Sequence, residues 1–338
     1  MNSKLSFICF ILISISACSC QKGKINNDAD VVNEDIPDVK KDSTDGYNKP
    51  FETRPGYAMI QDLSDEFNGT SLDKTKWIDY HPYWQGRGST FLPSNISVSD
   101  GTLKLKSSII NEAQLSSVYA KINQILTGEK NIISANTWNP NMYGTNWNSS
   151  KINSQIKSLD SIGLKAIGAA CVSSKGRTAR YGYYEARVKA SKTSLSSSFW
   201  FQGQKSEFDL TENIGYPTYT TPYTNLAPFK MATNTWDFSV TPSAGTPFEH
   251  TLTEKNCDKY YVFGMEWTDN EVIYYCNDKE VRRIDLSGKP IFQQDKYIFF
   301  DTEVLNAPWV GWPLKKTLTD TSLNTYYIDW IRVWKPAL

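Results

Sequence analysis

The sequence predicts an all-β domain, a sandwich of antiparallel sheets, and three observations lead there. Short runs alternate apolar and polar residues with a period of two and end at turn signals, and strands follow one another without helical periods between them. The chain holds 11 Trp, 19 Tyr and 15 Phe among 338 residues, and aromatic side chains suit pleated surfaces and sugar-binding grooves. The stretch 51–338 is long enough for one large β domain with insertions.

The chain begins with Met1-Asn2-Ser3-Lys4, an apolar run from Leu5 to Ile15, and the small residues Ser16-Ala17 before Cys18. One positive charge, a short apolar core and small residues at a cleavage point describe a secretory signal over 1–17, too short to span a membrane; the alternative is an uncleaved anchor. Ile15-Ser16-Ala17-Cys18 is similar to the lipobox of bacterial lipoproteins, which implies acylation of Cys18 and a protein exported and held at a bacterial membrane, on the cell surface, by that lipid. Residues 18–50 are rich in Lys, Asp, Asn, Glu and Ser and nearly free of aromatic residues. Such a stretch buries too little apolar area to offset ordering entropy, so a flexible tether is expected. A net charge of +0 over the whole chain gives no electrostatic footprint for nucleic acid. A monomer is expected.

In the remaining domain, Leu103–Lys106 alternates after the turn Asp100-Gly101, and Tyr183–Ala190 alternates after Tyr181-Gly182. Both read as half-buried strands. Tyr260–Glu266, Val272–Cys276 and Tyr326–Trp334 repeat the pattern, with Thr268-Asp269-Asn270 as a turn between the first two. Residues 107–167 differ: they are polar and rich in Asn and Ser, faintly helical over 152–164, and read as a long insertion carrying Trp138 and Trp147. Long loops inside compact domains commonly serve as lids or binding walls. With Cys9 and Cys18 assigned to the leader and the lipid, Cys20 falls in the tether and Cys171, Cys257 and Cys276 in the domain. Cys257 with Cys276 is the expected pair in an exported protein, with free buried thiols as the alternative. Only His81 and His250 are present, and no cysteines stand at zinc-ligand spacing. A metal or Ser-His-Asp centre is therefore not expected. No cofactor is expected either, and no oxygen cage for a structural calcium is evident.

The chemistry concentrates in Ser206-Glu207-Phe208-Asp209-Leu210-Thr211-Glu212. In a regular strand Glu207 and Asp209 share a face with Thr211, and Glu212 points the other way. One bulged residue between Asp209 and Glu212 returns the second glutamate to the face of the first. Like charges side by side destabilise a sheet, and the flanking Phe199, Trp200, Phe201, Phe208 and Leu210 imply burial, so a solvated edge strand is the weaker reading. Trp84, Trp200, Trp309 and Trp312 are candidate sugar-stacking platforms, each of which could equally be core, with the loop reading of 306–313 favouring Trp309 and Trp312. His250 is a candidate substrate contact, with a structural histidine the favoured reading.

The segment Glu207-Phe208-Asp209-Leu210-Thr211-Glu212 resembles the bulged Glu-x-Asp-x-x-Glu signature of glycoside hydrolase family 16. Three further blocks, in order, resemble the same family: Asp65-Glu66-Phe67-Asn68-Gly69 with Leu72-Asp73 and Trp77, then Tyr181–Arg187, and the closing Tyr327–Trp334. The resemblance covers most of residues 57–336 and implies a β-jelly-roll sandwich whose concave sheet forms an open polysaccharide cleft. It assigns Glu207 as nucleophile and Glu212 as acid/base of a retaining glycosidase, with Asp209 assisting between them. Tyr83-Trp84-Gln85-Gly86-Arg87-Gly88-Ser89-Thr90 is similar to the stretch found in enzymes acting on red-algal galactans. Arg87 there looks more like the β-porphyranases than the β-agarases, since a guanidinium fork can hold a sulfate bidentately. A second arginine that some porphyranases place before the catalytic strand is absent; Gln202, Gln204 and Lys205 stand there. The expected function is thus endo-hydrolysis of β-1,4 linkages in porphyran. Agarose, a methylated hybrid galactan, κ-carrageenan and laminarin remain alternatives as substrates, and a non-catalytic glycan-binding jelly roll as an alternative of another class.

Overall fold

The computed structural model describes residues 56–82, 89–110, 167–219, 221, 224–305 and 310–337. Most of the 107–167 insertion, together with Trp84, Arg87, Trp309 and Cys18, lies outside the described residues. Before the insertion come β1 (Tyr57–Met59), β2 (Trp77–Ile78), β3 (Thr90–Phe91), β4 (Ile96–Ser99), β5 (Thr102–Lys106) and β6 (Ser108–Ile109). After it come β7 (Ile167–Ser174), β8 (Gly182–Lys189), β9 (Ser197–Gln202), β10 (Ser206–Asn213), β11 (Lys230–Asp237), β12 (Ala244–Gly245) and β13 (Phe248–Thr251). The chain closes with β14 (Tyr261–Trp267), β15 (Glu271–Cys276), β16 (Lys279–Asp285), β17 (Tyr297–Thr302) and β18 (Thr325–Pro336).

These strands form two stacked sheets, antiparallel except for the parallel pair of β3 and β7. One has the order β16-β15-β14-β8-β18-β5-β4, with β1 joined to β18; the other runs β12-β11-β10-β9-β17-β7-β2, with β13 on β11 and β3 and β6 on β7. The fold is therefore the expected sandwich. Its turns follow from local chemistry: Asp100 and Gly101 both have positive φ (56° and 66°), the backbone of a tight two-residue hairpin turn, and they link β4 to β5. At the β14–β15 turn the Thr268 hydroxyl accepts from the backbone N–H groups of Asn270 and Glu271, a side-chain substitute for a backbone turn.

The core lies between the sheets. Phe199, Phe201, Phe208, Leu210, Ile298 and Phe300 from one sheet meet Tyr184, Ala186, Val188, Phe263, Met265, Ile328 and Ile331 from the other. The first and last sequence blocks close on each other. Asp65 and Ile331 exchange two backbone hydrogen bonds, at 2.8 and 2.9 Å, and Arg332 grips Glu66 at 2.7 and 3.1 Å.

Two expectations need correction. β8 is not half-buried: seven of its eight residues are buried, because its outer face is covered too. There Arg187 pairs with Asp329 at 3.0 Å, both side chains 2% exposed, and its guanidinium lies over Tyr260 at 4.3 Å. Nor do Cys257 and Cys276 pair, since Cys171, Cys257 and Cys276 are all free and buried. Cys257 sits in the loop after β13 with its Sγ turned to the Gly215 carbonyl, whereas Cys276 ends β15 inside the core. Burial pushes both thiols up to about 12, far from the thiolate that oxidation requires.

The buried ion pair gives a stability test. Asp329→Ala strands the Arg187 guanidinium in a dry site and is expected to cost about 3–5 kcal/mol, read as a lowered urea midpoint. A cost within ordinary surface-mutation scatter would mean that the pair is solvated.

Candidate active site

The acid-bearing strand β10 occupies the middle of its sheet, between β9 and β11. Against β11 the register is regular, Glu207 opposite Trp236 and Asp209 opposite Asn234. Against β9 it breaks: Asp209 faces Trp200 but Thr211 faces Phe199, leaving Leu210 as the extra residue. Directly opposed residues share a face. Leu210 and Thr211 therefore both turn toward the core with Phe199, and Glu212, opposite Ser198, returns to the face of Glu207 and Asp209. The bulge expected from the acid spacing is present. Asp209 is only 3% exposed, whereas Glu207 and Glu212 are half-buried.

The open face of this sheet, turned away from the core, can be read outward from the acids. Gln202 lies opposite Glu207 and donates from Nε2 to its Oε2 at 2.6 Å, fixing one carboxylate oxygen. Trp200, beside Asp209, stacks on Phe299 at 4.4 Å and on the His81 ring at 5.4 Å. Burial holds the His81 imidazole well below its usual range, so it serves here as a neutral stacking ring. Trp312 packs on the same apolar cluster as Trp200, and its carbonyl accepts from the Thr218 hydroxyl at 2.6 Å. On the other side, Trp236 lies flat over β12. A Cβ at Gly245 would come within 2.7 Å of its ring, which explains the glycine opposite it.

The structure thus brings Glu207, Asp209, Glu212 and Trp200 together, with Trp312 in the adjoining cluster. His250 is not among them. It is paired with Met231, a core residue, so it shares the face opposite to that of Asn234 and Trp236. Trp84, Arg87 and Trp309 fall outside the described residues. Among the described residues no group of three or more His, Cys, Asp or Glu side chains could hold a metal ion.

Two neighbours of the acids escape a reading of the sequence alone. Trp236 belongs to a run, Thr233-Asn234-Thr235-Trp236, whose alternation of threonines with larger residues is the signal that marks it as a strand. Asp301 has no such signal: β17 reads as a continuous aromatic run, and only its pairing with Ser198 puts it one strand beyond Glu212 on the same face. With Ser198 so small, little side-chain bulk separates the two carboxyls. Asp301 is 1% exposed and accepts from the Trp200 indole Nε1 at 3.1 Å. Burial pushes its carboxyl well above the usual carboxylate range, and the charges of Glu303 and Glu212 act in the same direction.

Comparison with known proteins gives one consistent picture. The family model described as the GH16 domain of β-porphyranases A–D matches residues 57–157 and 144–336. β-Porphyranase D of Zobellia galactanivorans is 28% identical over 304 residues, 82% of this chain and 61% of that protein. The chain thus spans about three fifths of that relative's length. β-Porphyranase B of Phocaeicola plebeius is 26% identical over 84% of this chain and 87% of its own. Among solved structures, porphyranase B from Zobellia galactanivorans superposes with a TM-score of 0.62 at 22% identity, covering 85% of this chain and 97% of that one. β-Agarase A in complex with oligoagarose gives 0.61 at 16% identity, over 83% and 94%. The two structures share this fold.

The state of Asp301 has a measurable consequence. A carboxyl whose native pKa exceeds its unfolded value carries a proton that the unfolded chain has lost, so its contribution to stability falls as pH climbs from about 4 toward the raised value. Asp301→Asn keeps an acceptor for Trp200 and removes that titration. Its stability relative to the parent is therefore expected to improve steadily over this range in urea melts. A difference that does not change with pH would show that Asp301 is ionised in the native protein.

Proposed function

The chain belongs to the glycoside hydrolase family 16 domain of the β-porphyranases A–D, and from that premise we propose that it is a retaining endo-β-galactanase acting on β-1,4 linkages of porphyran. The observation that carries this reading is the bulge at Leu210, which sets two glutamates and an aspartate on one open sheet face beside Trp200. A retaining glycosidase needs one carboxylate to attack the anomeric carbon and one carboxylic acid to protonate the departing oxygen from a short distance away.

Glu207 is the nucleophile. Its Oε2 accepts a hydrogen bond from Gln202, which orients the carboxylate for attack. Glu212 protonates the leaving oxygen, and in the second step removes a proton from the water that releases the sugar. Asp209, nearly buried between them, is a third negative centre that biases where the proton resides. Trp200, half-buried beside the acids, offers a flat apolar surface suited to the apolar face of a pyranose ring, while Trp236, only 6% exposed, backs the strand on the other side. Trp312 extends the Trp200 side. Trp84, Arg87 and Trp309 are assigned to substrate binding from the sequence pattern, Arg87 to a sulfate group. The preference for porphyran over agarose rests on Arg87 and on the porphyranase relatives; β-agarases stand among the relatives too, and neutral agarose is the second reading.

The same proposal includes export through the leader 1–17, acylation at Cys18, and a tether over 18–50 that holds the catalytic domain at the cell surface. A polymer too large to import would be cut there.

Glu207→Gln and Glu212→Gln are each expected to lower turnover of porphyran by about a thousandfold or more without lowering the melting temperature. Azide should rescue Glu207→Ala, taking the place of the missing carboxylate and yielding a glycosyl azide of opposite anomeric configuration to the substrate. Full activity in Glu207→Gln, or absence of any azide product, would overturn the assignment. Sulfated oligosaccharides from porphyran, with agarose left intact, are the expected digestion products; the reverse would favour the agarase reading.

A further inference from the structure

Directly behind the acid-bearing strand lies a lysine for which the reaction described above has no use. Lys296, just before β17, is 0% exposed. Its ammonium donates to Ser206 Oγ at 2.6 Å and to the Gln294 carbonyl at 3.4 Å. It rests 4.9 Å from the Phe208 ring and 5.1 Å from the Trp267 ring. Among the described residues it forms no ion pair. Fully buried lysines are rare, and burying a cation without a paired anion is costly. A methionine would fill the same space between the two aromatic rings and remove the cost. A cation retained at such a place calls for a role.

The surroundings indicate one. Ser206, which holds the ammonium, is the residue next to Glu207 in the chain, so cation and carboxylate lie on opposite sides of the same strand. The charged groups facing Lys296 are Glu207 from β10 and Asp295 from its own segment. Asp295 is itself engaged by Arg180 at 3.7 Å, and both of these side chains are about half exposed, where water screens them. Lys296 and Ser206 are both buried and Glu207 is half-buried on the same strand as Ser206, a setting in which charge is screened less than at the surface.

We infer that Lys296 is a positioning residue for Glu207: its buried ammonium, fixed by Ser206 beneath the strand, holds the Glu207 carboxylate in the ionised form that attack on the sugar requires. This inference rests on the reading of Glu207 as nucleophile. The coupling is reciprocal. Burial pulls the lysine down to about 7, with the Glu207 charge acting against that pull, and to the same extent the ammonium favours the Glu207 anion. The cost appears in stability. Because the native value lies below the unfolded one, the unfolded chain binds the extra proton between about pH 7 and the ordinary lysine range, and this group's contribution to stability rises with pH across that window.

The test is Lys296→Met in the intact domain, with kcat/KM for a soluble galactan oligosaccharide measured against pH. The melting temperature below pH 7 is expected to be unchanged or higher. The acid limb of the profile, where the nucleophile must lose its proton, should move to higher pH by roughly half a unit to one unit. A limb that stays in place would overturn the inference, because a purely structural lysine would alter stability alone. Should the variant not fold, nitrogen NMR of the lysine ammonium in the parent and in Glu207→Gln decides: the Lys296 midpoint should fall when the Glu207 charge is removed, and an unchanged midpoint would refute the coupling. Azide rescue of Glu207→Ala separates the two levels. Rescue together with an unmoved limb sinks only the role of Lys296, whereas absence of rescue sinks the nucleophile assignment itself.

Discussion

One inserted residue governs the site. A strand side chain has two choices of face, and a shift of one position moves every later residue to the other. Without Leu210 as an extra residue against β9, Glu212 would point among Phe199 and Phe201 in the core, where a carboxylate has no aqueous or polar partner. With it, three acids share an open face, and Leu210 and Thr211 go inward, the threonine hydroxyl donating to Asn213 Oδ1. The bulge is compatible with a stable sheet because β10 is held on both edges, by β9 and β11, and its core side is filled with Phe208 and Leu210.

Around that strand the sheet keeps its two faces chemically distinct. The core face is mainly apolar, with Lys296 and hydrogen-bonded hydroxyls such as Thr211 with Asn213 and Thr235 with Tyr274 as its polar groups. The open face carries acids in its middle, aromatic rings on either side, and a buried carboxyl, Asp301, that is tied to Trp200. Placing like charges together is unfavourable, and the structure moderates it with Gln202 on Glu207, a lysine behind the strand, and burial that keeps Asp301 protonated. The opposite sheet is different in kind. It carries the buried pair of Arg187 with Asp329 and the pair of buried Arg332 with partly exposed Glu66, which join the first and last segments of the domain to its centre.

What could be read from the sequence was local. Alternating strands, the Asp100-Gly101 turn, the Thr268 turn and the need for a bulge between Asp209 and Glu212 all follow from residues within a few positions of one another. What could not be read depended on which strands become neighbours. Asp301 is a site residue only because β17 lies against β9, and Trp236 only because β11 borders Glu207. The same dependence misled the other expectations. His250 sits on a real strand but on the wrong face, β8 is covered on both sides because other chain segments pack over it, and Cys257 and Cys276 belong to different parts of the fold. Trp84, Arg87 and Trp309, which carry the expectation about the substrate, remain sequence assignments.

The central claim is that Glu207 and Glu212 face one substrate across a bulged strand at the separation of a retaining pair. A crystal structure of the domain bound to a galactan oligosaccharide measures this directly. Both carboxyls are predicted on the side of Trp200, flanking the scissile bond and about 5 to 5.5 Å apart. Glu212 lying among the core phenylalanines, or the two carboxyls separated by roughly 6.5 to 9.5 Å as in an inverting enzyme, would contradict it.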